Sequence, residues 1–198
     1  MNSTLLYYDS NAKEYSDSTV NAEFSAVQER FLAFIPAKGV ILDFGCGSGR
    51  DTKHFLNRGF SVDAVDGSAE LCKMASAYTG IPVKQMLFQD LNEAEKYDGI
   101  WACASILHVP KPELPDIFRH MVVALKKDGI IYTSFKYGDF EGERNGRYFS
   151  YYTKESFREF LNRFPEMQII DEWVSGDVRP GREEEKWLNL IIQKQTIN

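Results

Sequence analysis

Three acids, one histidine and two arginines in this sequence are spaced as if to meet at one place. Asp43 closes the apolar run Val40-Ile41-Leu42 and is followed by Gly45, Gly47 and Gly49. Asp66 closes a second such run, Asp90 follows a third, and His108 follows a fourth through Ala104-Ser105-Ile106-Leu107. Asp98 sits at the start of that fourth run, in Tyr97-Asp98-Gly99. Glycines at alternate positions let backbone adopt positive φ and lie close to a ligand. Between a strand and a helix they leave a cradle of N–H groups at the carboxyl edge of a sheet. An imidazole with an ordinary pKa near 6.5 can accept a proton at neutral pH, although His108 could equally support a pocket wall. Arg144 and Arg147 carry planar forks suited to carboxylate or phosphate, and Tyr148, Tyr151 and Tyr152 beside them could wall an apolar pocket. These side chains could equally bridge to the next helix, with ion pairs to Glu141 and Glu143.

Such residues need a frame, and apolar periodicity supplies one. Strands are expected at residues 40–43, 60–65, 83–88, 97–103, 130–135, 167–174 and 187–194. Helices are expected at 51–58, closed by Gly59, and at 71–77, 112–126 and 153–163. Ahead of the first strand, Phe24, Val27, Phe31 and Phe34 mark a helix that Pro36 and Gly39 end. The helix at 153 has Thr153 as N-cap and Ser156 at N3, where a capping box asks for Glu or Gln. Residues 136–152 are expected to be a long, glycine-punctuated polar loop, of a length usually kept for function.

The chain has 198 residues, 43% of them hydrophobic, which is enough for one domain with a proper core. Its formal charge of −6 argues against a partner held by phosphate neutralisation. The three cysteines have no metal-like spacing and imply a reducing compartment, and no metal site is expected. No signal peptide and no apolar run of spanning length can be read, so a cytoplasmic protein without membrane contact is expected.

A dinucleotide fingerprint would need glycine where Arg50 stands, so an NAD enzyme is disfavoured. The pattern Asp43-x-Gly45-x-Gly47-x-Gly49 instead resembles the first motif of class I S-adenosylmethionine (SAM)-dependent methyltransferases. The acids after the second and third strands, Tyr97-Asp98-Gly99 and the junction Leu125-Lys126-Lys127-Asp128-Gly129 follow in that family's order, so the resemblance covers essentially the whole chain. Its style is that of short, single-domain enzymes such as tellurite-resistance methyltransferases. The Asn/Asp-Pro-Pro-Tyr/Phe motif of nucleobase and glutamine N-methylating enzymes is absent after strand 4, and so is a Pro-Cys dipeptide.

The resemblance implies an α/β, Rossmann-like, doubly wound seven-stranded sheet of order 3-2-1-4-5-7-6, with strand 7 antiparallel and helices on both faces. It implies a single domain, with residues 1–36 as a lid and 37–198 as the SAM-binding core. Cofactor contacts are implied for Tyr15, Thr19, Asp43, Gly45, Cys46, Gly47, Ser48, Gly49, Gly67, Ser68 and Ala104. Asp66 would take the ribose hydroxyls, and Asp90 with Leu91 the adenine; helix or loop capping is the other reading for both acids, and Ser68 reads as a helix N-cap. Substrate contacts fall to His108, Arg144, Arg147, Tyr148 and Tyr151, with His108 as the candidate base. The reaction expected is SN2 transfer of methyl from SAM to a small-molecule acceptor, leaving S-adenosylhomocysteine (SAH), in a monomer or homodimer. An RNA- or tRNA-directed enzyme, using Arg144, Arg147, Arg179 and Arg182 as one basic face, is the first alternative. A non-catalytic SAM-binding regulator is the second.

Overall fold

A computed structural model describes residues 3–179, 181–182 and 184–195. Nine strands and seven α-helices follow one another along the described residues: α1 (Ser3–Ser10), α2 (Ala12–Thr19), α3 (Ser25–Leu32), β1 (Val40–Phe44), α4 (Arg50–Asn57), β2 (Ser61–Asp66), α5 (Ala69–Thr79), β3 (Val83–Gln85), β4 (Tyr97–Ala102), α6 (Leu114–Ala124), β5 (Leu125–Lys136), β6 (Glu141–Arg144), β7 (Arg147–Ser150), α7 (Lys154–Leu161), β8 (Met167–Gly176) and β9 (Lys186–Lys194). Short 3-10 turns at Phe88–Asp90 and Ile106–His108 follow β3 and β4.

Seven strands form one sheet in the order β3-β2-β1-β4-β5-β9-β8. The first five run parallel, and β9 lies antiparallel between β5 and β8. This is the expected 3-2-1-4-5-7-6 order, with β8 and β9 in the places of the sixth and seventh strands. Alternation along each strand divides the core. Ile41, Trp101, Ile130, Tyr132 and Ile191 pack with Phe31 of α3 and Phe55 of α4. Leu42, Ile100, Ile131, Leu190 and Ile192 pack with Phe118 of α6 and Phe157 of α7. Being covered on both faces is why the parallel strands read as continuous apolar runs. The strand order reverses at β1, whose carboxyl edge is therefore the crevice where ligands bind in doubly wound sheets.

Three segments differ from expectation. Residues 3–19, too polar to show a helical stripe, form the two helices α1 and α2. The loop expected at 136–152 contains a β-hairpin, β6 paired with β7, turning at Asn145 (φ 51°) and Gly146 (φ 75°). Asn-Gly is the strongest two-residue hairpin signal because both positions require positive φ. The start of α7 is a full capping box: Thr153 Oγ1 accepts the Ser156 N–H at 3.2 Å, and Ser156 Oγ accepts the Thr153 N–H at 2.9 Å. Serine reaches back as the longer acid would. No helix among the described residues is long and apolar enough to cross a membrane.

Candidate active site

The glycine turn is where the chain's needs are most exacting. Gly45, Gly47 and Gly49 have φ of 87°, 56° and 80°. The N–H groups of Gly45 and Cys46 both donate to the Val65 carbonyl at 2.9 Å, tying the turn to β2. A Cβ on Gly45 would lie 2.5 Å from Ser105 Cβ, and one on Gly47 would lie 3.0 Å from the Tyr15 ring. The floor of the site is thus bare backbone, with α2 lying over it.

Asp43 supports this turn from below rather than facing a ligand. Buried, it accepts a hydrogen bond from Thr52 Oγ1 at 2.5 Å, and burial, with Asp51 nearby, pushes its carboxyl up to about 8. Asp51 is the opposite case. Burial alone would raise it, but Arg50 binds it through two nitrogens at 2.8 and 3.0 Å, and Trp101 Nε1 and Gln28 Nε2 donate to it as well. These partners hold it below the usual carboxylate range, so Asp51 is the charged member of the pair.

Two lobes of a cavity open at the carboxyl edge of β1, β2 and β4. The first is bounded by Gly45, Gly47, Asp66 and Gly67 and by the apolar side chains of Leu5, Met86, Leu87, Phe88 and Ile117. Asp66 accepts the N–H groups of Gly47 and Ser68, both at 2.9 Å, and burial raises its carboxyl above the ordinary value. An acid beside bare glycine, facing an apolar slot, fits a nucleoside: hydroxyls for the carboxylate and a flat base for the slot. The residues present therefore suit the adenosyl group of SAM. The second lobe is bounded by Tyr15, Thr19, Cys46, Ser48 and Arg50 on one side and by Ser134, Arg147, Asp177, Arg179 and Trp187 on the other. Both lobes touch Tyr8, Tyr15, Gly45, Ala104 and His108, which form the partition between them. Ala104 holds φ at 48° there, a conformation costly for a residue with a Cβ, and its N–H donates to Ser134 Oγ at 2.9 Å.

His108 has a defined tautomer. Its Nδ1 lies 2.6 Å from the Tyr148 carbonyl oxygen, which can only accept, so Nδ1 carries the proton. Nε2 then accepts from the Tyr8 hydroxyl at 2.8 Å. Burial lowers its proton affinity to about 4; the bond to Tyr148 resists this and the Arg147 charge adds to it, so the ring is neutral at pH 7. The Tyr8 hydroxyl is raised by burial and lowered by the charge of Arg147, whose guanidinium carbon lies 5.8 Å from the Tyr8 ring centroid. Arg147 is itself held among rings, its guanidinium carbon 4.4 Å from the Tyr7 centroid and 5.2 Å from that of Phe149.

Of the residues expected at the site, the structure brings Tyr15, Thr19, Gly45, Cys46, Gly47, Ser48, Asp66, Gly67, Ala104, His108 and Arg147 to the cavity. The others lie elsewhere for identifiable reasons. Gly49 caps α4 and allows close approach to α5, where a Cβ would lie 2.8 Å from Thr79. Ser68 is the N-cap of α5 and donates to Asp9 at 2.6 Å. Leu91 is core. Asp90 is exposed at the end of its 3-10 turn, while its neighbour Gln89 meets the first lobe. On the hairpin, the two-residue strand period sends Arg147 and Phe149 to the His108 side. Tyr148 instead donates to Glu141 at 3.0 Å, Tyr151 packs on Phe140, and exposed Arg144 covers Phe140 at 4.5 Å. Tyr8 and Arg50 line the cavity although sequence reasoning gave them no site role, and so does Arg179, which entered only as part of a basic face for RNA. Arg50 was readable only as a broken dinucleotide fingerprint. Among the described residues no group of His, Cys, Asp and Glu side chains could hold a metal ion.

Comparison with known proteins follows the same lines. Residues 41–129 match the family model described as a methyltransferase domain. YqeM of Bacillus subtilis, a methyltransferase by name only, is 27% identical over 143 residues, covering 66% of this chain and 58% of that one. The 18S rRNA (guanine-N(7))-methyltransferase bud23 of Schizosaccharomyces pombe is 26% identical over 144 residues, covering 63% and 53%. The chain thus spans somewhat over half the length of these curated relatives. Among solved structures, the Burkholderia thailandensis 1,6-didemethyltoxoflavin-N1-methyltransferase, crystallised with 1,6-didemethyltoxoflavin and SAH, superposes with a TM-score of 0.77 at 21% identity, over 97% of this chain and 85% of that one.

Proposed function

We propose that the chain is a class I SAM-dependent methyltransferase that methylates a small-molecule acceptor held in the second lobe. The observation that carries this reading is the partition shared by the lobes. A nucleoside-type cleft and a mixed polar and aromatic chamber meet across Tyr8, Tyr15, Gly45, Ala104 and His108. Helices α1 and α2 act as the lid, held down by Asp9 on Ser68 Oγ, by Thr19 Oγ1 on Ser48 Oγ at 3.1 Å, and by the Tyr148 N–H on Thr4 Oγ1 at 2.9 Å.

When bound, SAM supplies a methyl carbon already activated by the sulfonium, so the transfer needs neither metal nor redox chemistry. The chain's residues align and shelter. Asp66 would accept the ribose hydroxyls, the backbone of Gly45 and Gly47 would admit the methionine portion, and Tyr15, Thr19 and Ser48 would close over it. Tyr8 faces the acceptor. The acceptor's proton passes to Tyr8 Oη as the Tyr8 proton moves to His108 Nε2, while Nδ1–H stays on the Tyr148 carbonyl. His108 is therefore the base at one remove, since its lone pair points at Tyr8 and not into the chamber.

Titration with SAH tests the cofactor half by heat and by the rise in melting temperature that linkage demands. Tyr8→Phe tests the acceptor half. It should leave SAH affinity within about threefold and lower kcat by roughly 10²-fold, the usual scale for a lost proton-transfer group. Equal turnover would remove Tyr8 and His108 from the chemistry. SAH binding without methyl transfer to any acceptor would favour the regulator instead. The arrangement of arginines does not favour RNA: Arg179 is bound to Asp177 through two nitrogens at 2.9 and 2.6 Å, Arg182 lies 3.7 Å from Glu185, and Arg147 is inside the cavity. They form no common basic face.

A further inference from the structure

Three arginines reach the second lobe, and two are already neutralised. Arg50 is bound to Asp51 through two nitrogens. Arg179 is bound likewise to Asp177, a carboxylate that also accepts from Trp187 Nε1 at 3.1 Å and faces Lys136 Nζ at 3.6 Å. Arg147 differs. Among the described residues no carboxylate lies within ion-pair distance of it, and its Nε is buried without a hydrogen-bond partner. Its neighbours are the rings of Tyr7, Tyr8 and Phe149, which hold the guanidinium in place but cannot supply the bidentate acceptor that its fork is shaped for. A cation left unpaired in a sheltered cavity is electrostatically expensive unless something else arrives to pair with it.

We infer that Arg147 is the oxyanion-binding residue of the acceptor lobe, so that the acceptor carries a carboxylate, phosphate or phosphonate group. The inference rests on the proposed methyl transfer and narrows its substrate class. The position is consistent with serving the acceptor and not the cofactor. Arg147 lies on the hairpin side of the second lobe, by the rings of Tyr8 and Phe149, whereas Thr19 and Ser48, which share that lobe, bond to each other beside the glycine turn, and Gly47 and Asp66 meet the first lobe. It also gives the anion a second effect. The Arg147 charge is one of the influences that lower the proton affinity of His108. An oxyanion on Arg147 offsets that influence, so the correct acceptor strengthens the base that must take its proton.

The test uses the SAH-loaded, full-length protein and three probes in calorimetry: benzoate, its neutral isostere benzamide, and methylphosphonate as competitor. Wild type should bind benzoate at least about tenfold more tightly than benzamide, with methylphosphonate displacing it, a modest figure for a charge-assisted fork. Arg147→Gln should erase the preference, Arg147→Lys should keep part of it, and both should retain SAH affinity within about threefold. Arg144→Gln, outside the cavity, should behave as wild type. The inference is overturned if wild type shows no preference for the anions, or if Arg147→Gln keeps it. It also falls if Arg147→Gln weakens SAH itself about tenfold or more, which would assign Arg147 to the cofactor's own carboxylate. Wild type that fails to bind SAH would remove the proposed function, a result distinct from SAH binding without anion preference.

Discussion

In the first lobe the chain presents the bare backbone of the glycine turn and the Asp66 carboxylate beside an apolar slot, at the strand ends of one sheet. In the second it presents side chains gathered from α1, α2, β7 and the β8–β9 connection. The first lobe depends on what a glycine lacks and on an acid fixed by two N–H groups, both decided within a few residues of β1 and β2. The second depends on contacts between residues far apart in sequence, such as Tyr8 with His108 and His108 with Tyr148. A surface built from local backbone geometry tolerates little variation, whereas one built from side chains can be changed one residue at a time.

Substitutions should separate the two lobes in a graded way. The largest effect is expected from Gly45→Val. Its Cβ would meet Ser105 at 2.5 Å in a left-handed backbone, so SAH binding should be lost outright in calorimetry, and the melting temperature should fall as well. Asp66→Ala comes next. It removes the carboxylate that also fixes Gly47 and Ser68, and SAH affinity should drop by roughly 10- to 100-fold, in line with the loss of charge-assisted hydrogen bonds. Benzoate preference measured at saturating SAH should survive, and its loss would show that the lobes are not separable.

The acid limb of activity sharpens the comparison further. An exposed histidine base would lose half its function near pH 6.5. His108, lowered to about 4 by burial, should remain a base well below that, so the acid limb of kcat/KM should fall nearer pH 4 to 5. The same shift has a stability consequence with a definite sign. Between about 6.5 and about 4 the unfolded chain binds a proton at His108 that the folded chain refuses, so folding stability should decline as pH falls through that window. His108→Gln should flatten that part of a melting-temperature profile. Arg144→Gln should have the smallest effect, under about twofold on SAH affinity or turnover, because its side chain is an exposed cover for Phe140.

How much of each lobe could be read beforehand follows the same division. Gly45, Gly47 and Asp66 are legible because a local pattern dictates them: an apolar run, then glycine or acid where the strand stops. Asp43 shares that pattern, yet it faces Thr52 beneath the turn, since a strand-end acid can point to either side and sequence does not say which. Tyr8 was one of several tyrosines in a polar stretch, and nothing nearby signals that it meets a histidine 100 residues on. Arg147 was identified together with Arg144, Tyr148 and Tyr151, but only the strand period of the hairpin separates them. The Asn145-Gly146 dipeptide carried that information and would have replaced a long loop by two short strands.

The partners of α1 also bear on how the protein acquires its lid. Ser3 donates to Glu143, 140 residues away, Tyr8 to His108, 100 away, and Thr4 accepts from Tyr148, 144 away. During synthesis this helix emerges long before any of them, and its own polar sequence gives it little reason to be helical alone. Contacts of such long sequence separation form late, after the loop between them has been closed by the rest of the fold. The nascent sheet can therefore complete its glycine turn while the entrance to it is still open, and the lid settles only once the hairpin exists to receive it.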